Sequence, residues 1–140
     1  MKIPSGFSLI AIPALGALMA WLAGCRSGGP SEAPQQVRRV DVPEFAEAVE
    51  AGQGVIVDVR TPEEFQAGHI PGARNLNVNS PDFESKIRQL APGERYLVYC
   101  RSGHRSRRAC AAMEAAGLTN LLELAPGFNG WQAAGQPVER

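Results

Sequence analysis

From Val37 to Arg140 the chain predicts an α/β domain, a parallel sheet of about five strands with helices on both faces. Three observations carry that expectation. Short β-rich runs alternate with helical ones along the whole stretch. Two of the runs, Val-Ile-Val-Asp-Val over residues 55–59 and Tyr-Leu-Val-Tyr over residues 96–99, lack polar alternation, as expected of strands covered on both faces. Helix start and stop signals stand between the runs.

The elements follow in order. Residues 37–40 make a short strand, and Asp41 caps a helix over residues 43–51, with Pro43 in its first turn and Gly52 just past its end. The buried strand at 55–59 leads to Thr61-Pro62-Glu63-Glu64, a capping box with proline at its usual place, which opens a short helix. A strand is expected at residues 76–78. A helix is expected at residues 81–90, where Phe83, Ile87 and Leu90 share one stripe. The second buried strand, 96–99, ends at Cys100, and a helix from Ser106 to Ala116 is closed by Gly117. Residues 121–124 form the last strand and residues 127–134 the last helix. In such sheets ligands bind beyond the carboxyl ends of the strands, which is where Cys100 falls.

Ahead of this domain stands a segment of different character. After Lys2 no charged residue appears before Arg26, and the apolar stretch ends in Leu22-Ala23-Gly24-Cys25. A positive start, an apolar middle and small residues at a boundary describe a secretory signal over residues 1–24. The ending resembles the lipobox of bacterial lipoproteins. That resemblance implies cleavage before Cys25 and lipidation of its thiol. The alternative is an uncleaved membrane anchor, since the run matches the roughly 20 residues that a bilayer needs. Pro4, Pro13 and Gly16 make it a mediocre spanning helix. Residues 25–36, rich in Gly, Pro, Ser and Gln, read as a tether. The expectation is a cell-envelope lipoprotein facing the periplasm. The absence of aspartate after Cys25 leans towards the outer membrane.

The 140 residues carry 14 basic and 14 acidic side chains, a net charge of zero that excludes a broadly basic nucleic-acid binder and an acidic disordered chain. Three cysteines are too few for a disulfide scaffold. Within this neutrality Arg95, Arg101, Arg105, Arg107 and Arg108 crowd a stretch without any acid. Arg107 and Arg108 are read equally as a solvated face or as anion steering.

The chemistry is expected in Cys100-Arg101-Ser102-Gly103-His104-Arg105-Ser106. Strand, tight loop and helix N-terminus together form a nest of backbone N–H groups. A cysteine at the start of that nest favours thiolate, and such sites bring its pKa from about 8.5 towards 3.5–7.5. The same nest would hold an anion, so attack on an oxyanionic substrate or acceptance of a sulfur atom is suggested. A plain buried thiol is the bland alternative for Cys100, and packing is the expected role of Cys110. A Cys100–Cys110 disulfide is not expected, because the intervening helix carries the two apart. His69 and His104 lack companions at ligand spacing, so no metal site is expected. His69 reads as a turn residue, and Trp131 as core or a lid edge.

Over residues 37–138 the domain is similar to single-domain rhodaneses, the thiosulfate sulfurtransferase family. The shared motifs are Asp58-Val59-Arg60, Glu63-Glu64-Phe65, and the run from Gly68 to Asn75. The loop Cys100 to Arg105 and the closing Gly127-x-x-x-Trp131 complete the set. Pro126 departs from the family, which often has a second glycine there, and leaves the shape of the last loop open.

The resemblance implies a rhodanese-like three-layer domain in which Cys100 takes the outer sulfur of thiosulfate, or of a similar donor. Cys100 then passes the sulfur as a persulfide to cyanide or a thiol, with no metal or organic cofactor. The loop from Arg101 to Ser106 would hold the anionic persulfide. Arg101 and His104 would guide the donor, and Asp58 and Arg60 would give structural support. Arg105 would brace the loop through an inward acid, with Asp58 the first candidate. The partners expected are these small molecules and the membrane through the lipid anchor, with no nucleic acid, and the protein is expected to be a monomer. Two other readings stay open. One is a tethered persulfide carrier or redox-sensing partner module. The other is a cysteine phosphatase or arsenate reductase-like enzyme. Those enzymes use Cys-x-x-x-x-x-Arg, one residue longer than the spacing from Cys100 to Arg105, and the smaller ring suits a sulfur atom better than phosphate.

Overall fold

The computed structural model describes residues 37–140. The boundary at Gly24, the lipidation expected at Cys25 and the tether at 25–36 lie outside the described residues.

Five parallel strands, β1 (Arg38–Val40), β2 (Val55–Asp58), β3 (Arg74–Asn75), β4 (Tyr96–Tyr99) and β5 (Leu121–Leu124), form one sheet in the order β1-β5-β4-β2-β3. Strand β4 is buried at all four residues, as expected of an apolar run covered on both faces, whereas β2 is buried only at Val57 and Asp58, with Val55 and Ile56 half-buried; β5 is buried throughout although it carries Glu123. Helices α1 (Val42–Glu50) and α5 (Gly127–Ala133) cover one face, where Phe45, Phe128 and Trp131 pack on Leu97, Tyr99 and Leu124. Helices α3 (Phe83–Ile87) and α4 (His104–Ala115) cover the other, where Phe83, Ile87, Ala109, Cys110 and Met113 meet Val57, Val98 and Leu121. Helix α2 (Pro62–Ala67) buries no residue and sits at the carboxyl end of β2. Trp131, 2% exposed, belongs to the core, and its indole N–H donates to the Pro137 carbonyl at 2.8 Å.

Local chemistry sets the helix starts. Asp41 accepts from the Glu44 N–H to open α1, and Thr61 with Glu64 forms the complete capping box of α2.

Three elements differ from expectation. The strand expected at 76–78 pairs earlier, at Arg74 and Asn75. The chain beyond still donates from Leu76 N to Asp58 O at 2.8 Å and from Val78 N to Val59 O at 3.2 Å, while both side chains pack towards the core. The helix expected at 81–90 narrows to Phe83–Ile87. The carboxylate of Asp82 is taken by Ser80 and Lys86 instead of capping, and the chain tightens after Ile87 through Gln89-to-Lys86 and Leu90-to-Ile87 bonds. Helix α4 begins at His104, two residues before the expected Ser106, because Gly103 makes the turn into it at φ +87°.

Candidate active site

Strand β4 delivers Cys100 to the carboxyl end of the sheet, and the chain turns within three residues into α4. The turn depends on Gly103. A Cβ there would lie 2.1 Å from the Ala125 carbonyl oxygen, and the positive φ already disfavours any side chain. With the turn so tight, the Gly103 N–H donates to Cys100 Sγ at 3.1 Å. Ser106, fully buried in the first turns of α4, places its hydroxyl oxygen 3.5 Å from the same sulfur.

The loop is held from behind by the start of α5. Phe128 N donates to Cys100 O at 2.8 Å and Asn129 N to Arg101 O at 3.0 Å. Gly127 permits this approach, since a Cβ there would meet the Arg101 backbone at 2.6 Å. The proline at 126 therefore leaves the contact intact: only the second residue of the pair must be glycine.

Burial works against ionisation of Cys100, which is 1% exposed. The Ser106 hydroxyl and the backbone N–H groups of Ser106, Ser102 and Gly103 outweigh that cost and leave its pKa below the ordinary thiol value. The result is a recessed thiolate-forming sulfur in a ring of donors, suited to nucleophilic attack and to carrying an added anionic sulfur.

The remaining loop residues divide by position. Arg101 and His104 are exposed. Arg101 borders a depression of about 240 Å³ shared with Arg60, Glu64, Gly68, Phe128 and Gln132. His104 meets the Ser102 hydroxyl at 3.3 Å. Arg107 is exposed, and Arg108, also exposed, bonds the Asn79 side chain.

Arg105 does not reach Asp58. Its two terminal nitrogens grip Glu64 at 2.6 and 2.8 Å, a forked pair that draws the Glu64 pKa down to about 2 and raises that of Arg105. Asp58 is already engaged by Arg60: Nη2 lies 2.6 Å from one carboxylate oxygen, and Nε lies 3.0 Å from both. That buried pair is structural. Arg60 also donates to the Gly68 carbonyl at 2.7 Å and lies 4.1 Å above the Phe128 ring, joining β2 to α2 and α5. Asp58 is therefore consumed two residues along the chain, and the capping-box glutamate is the acid left facing the loop.

His69 bonds the Phe65 carbonyl at 2.9 Å, stacks on that ring and faces Glu139 at 3.5 Å, a role in the turn with no contact to Cys100.

Glu123 was not singled out by the sequence reasoning. It lies on β5, 1% exposed, and accepts the Ser106 hydroxyl at 2.7 Å. The available signal was an acid inside Leu-Leu-Glu-Leu, flanked by leucines in a short strand.

With this geometry in place, residues 41–134 match the Rhodanese-like domain family. The chain belongs to that family, which includes sulfurtransferases and sulfur carriers. The thiosulfate sulfurtransferase GlpE of Stutzerimonas stutzeri is 37% identical over 91 residues, covering 64% of this chain and 81% of that protein. A sulfurtransferase of Allochromatium vinosum is 33% identical over 60% of this chain and 77% of its own. YrkF of Bacillus subtilis, provisionally named a sulfur carrier protein, is 28% identical over 76% of this chain, and the match spans 58% of that protein. Among solved structures, a rhodanese-related protein of Thermoplasma volcanium superposes with a TM-score of 0.65 at 26% identity, covering 73% of this chain and 97% of that one.

Proposed function

We propose that this rhodanese-like protein is an extracytoplasmic sulfurtransferase that moves sulfane sulfur from thiosulfate, or a similar donor, to cyanide or a thiol. The observation that carries the reading is the donor ring around Cys100, with the Gly103 N–H at 3.1 Å from a sulfur recessed at the end of a buried strand. The thiolate attacks the outer sulfur of thiosulfate, the S–S bond of the donor breaks, and sulfite leaves with the electron pair. Cys100 is then a persulfide whose terminal sulfur is held by the loop. Attack by cyanide or a thiolate on that sulfur breaks the new bond and returns the Cys100 thiolate. Arg101, exposed at the rim, supplies positive charge for an anionic donor.

The engagement of Arg105 by Glu64 supports sulfur transfer over phosphate chemistry. An arginine that clasps a tetrahedral oxyanion must be free to turn into the loop, and this one is held by two hydrogen bonds to a carboxylate outside it.

The extracytoplasmic part of the reading rests on the apolar segment and its Leu-Ala-Gly-Cys ending. On this reading Cys25 carries the lipid and residues 25–36 tether a monomeric domain to the membrane. The outer membrane is favoured.

Intact mass spectrometry after thiosulfate treatment tests the chemistry. A gain of one sulfur on Cys100, lost on adding cyanide or a thiol, is expected, and no gain overturns the reading. A persulfide that forms but leaves only with a protein partner identifies a carrier instead. Labelling with a radioactive fatty acid tests the address: incorporation that disappears in Cys25→Ala is expected, and equal incorporation in both chains overturns it.

A further inference from the structure

The mechanism above uses Cys100 and its loop but leaves a buried carboxylate unexplained. Glu123 is the one fully buried acid of β5. It is bonded through one oxygen to Ser106 Oγ at 2.7 Å and through the other to Arg39 Nε at 3.2 Å. Arg39 stands opposite Glu123 in the β1–β5 register, and its Nη2 continues under the loop to the Ala125 carbonyl at 3.3 Å. Ser106 in turn accepts from the Cys100 thiol at 3.5 Å. These contacts make a continuous chain from the half-exposed edge strand to the reactive sulfur.

The chain contains a competition. A serine hydroxyl has one proton and so donates to one acceptor at a time. While Cys100 is a thiol, its S–H points to Ser106 Oγ and the hydroxyl proton is free for Glu123. When the S–H bond breaks, the proton leaves to water and the electron pair stays on sulfur. Thiolate and carboxylate then both call on the same hydroxyl.

We propose that Glu123 is a positioning residue for Cys100: it takes the Ser106 hydroxyl while the sulfur is a thiol and yields it when thiolate or persulfide forms, its own charge then being held by Arg39. A buried carboxylate stripped of its hydrogen bond is costly, so the handover depends on Arg39 remaining in place. The acid thus sets how readily the thiolate forms and how tightly the persulfide is held. The catalytic meaning rests on the persulfide reading of Cys100, whereas the competition for the hydroxyl holds whatever the sulfur donor.

The test is the pH profile of iodoacetamide alkylation, followed at the Cys100 peptide by mass spectrometry in the full-length chain. Other charged or titratable groups around the pair are Arg105, Arg107, Cys110 and Glu114 on α4, Asp58 on β2, and Arg39 on β1, and all are retained in the first comparison. Glu123→Gln keeps the shape but weakens the competing acceptor. The inflection should move to lower pH, with about three- to tenfold more thiolate below the parent inflection. Arg39→Gln removes the charge that holds Glu123 once it yields the hydroxyl, strengthens its hold on Ser106 and should move the inflection to higher pH. In a Ser106→Ala background the Glu123→Gln effect should shrink below about twofold, because the route through the hydroxyl is gone.

An unchanged profile in Glu123→Gln overturns the assignment. So does an equal shift with and without Ser106, which would show a bare charge effect. Should Glu123→Gln fail to fold, Arg39→Gln gives the same decision, since Arg39 is 38% exposed and a glutamine there removes the charge while keeping a hydrogen-bond donor for the buried carboxylate. Its shift must likewise depend on Ser106. Loss of sulfur transfer in the parent chain with the profiles still shifting would sink the sulfurtransferase reading and leave Glu123 in its role.

Discussion

Cys100 and Cys110 lie ten positions apart, are equally buried at 1% exposure, and are the two free cysteines among the described residues. Their chemistry is opposite. Around Cys110, burial is the largest influence, and the nearby charges of Glu123 and Glu114 add to it, so its pKa is driven far above the ordinary thiol value. Around Cys100, burial acts in the same direction but is overcome by a serine hydroxyl and three backbone N–H groups. Burial alone therefore says nothing about thiol reactivity. What separates the two is access to hydrogen-bond donors. A cysteine inside a helix cannot have those donors, because the N–H groups beside it are already spent on the helix ladder.

The largest expected effect is on Cys100 itself. Cys100→Ser should reduce sulfur transfer to background in a thiosulfate–cyanide assay, because the hydroxyl neither ionises nor accepts sulfane sulfur. Retained activity would place the reactive thiol at another cysteine.

Gly103→Ala removes the difference without touching either sulfur. The added methyl collides with the Ala125 carbonyl at a φ of +87°, so the turn must open and the N–H must leave the sulfur. A stability loss of about 1–3 kcal/mol by urea unfolding is expected, together with an alkylation profile of Cys100 shifted to higher pH. A lower stability with an unshifted profile would mean that the Gly103 N–H contributes nothing to the thiolate.

A smaller effect concerns the brace beside the loop. The Glu64 pKa is held at about 2 against an ordinary 4.5, chiefly by its hydrogen bond to Arg105. A depressed carboxyl pKa stabilises the fold above the unfolded value and loses that contribution as pH falls through the folded one. The stability supplied by the pair is thus complete above about 4.5 and fades towards about 2. Glu64→Gln should flatten the urea-midpoint curve in that window and leave it parallel to the parent at neutral pH. An unchanged acid limb would show that the pair is not maintained in solution.

Cys110→Ala carries the smallest effect. It deletes one buried sulfur, costs about 1 kcal/mol of stability and leaves sulfur transfer per folded molecule unchanged. A large drop in turnover would give Cys110 a part in the chemistry that its surroundings deny it.

Much of this is legible in the sequence. Strands β2 and β4 are legible because their runs lack polar alternation, and the capping box and Pro43 mark helix starts through chemistry confined to four residues. The loop was legible for the same reason: strand, glycine and helix in immediate succession leave the N–H groups little choice of direction. The short pairing of β3 was not legible, since two residues carry no periodicity and the pairing is decided by β2. Nor was the partner of Arg105. Asp58 and Glu64 are both acids near the end of β2, and nothing local says that Arg60, two residues from Asp58, closes back on it and leaves Glu64 for the loop.

The sequence by itself determined the α/β class, the position of a nucleophilic cysteine at a strand end, and the tight glycine turn that aims a backbone donor at it. All of these follow from short-range sterics and hydrophobic patterning. Tertiary structure alone decided which acid meets which base, because ion pairs form between residues as distant as Glu64 and Arg105 or Arg39 and Glu123, which only the ordering of the strands brings side by side. It also decided that Glu123 stands behind Ser106. An acid in a buried strand must find partners, and only the packing of α4 on β5 and of β1 at its edge supplies them.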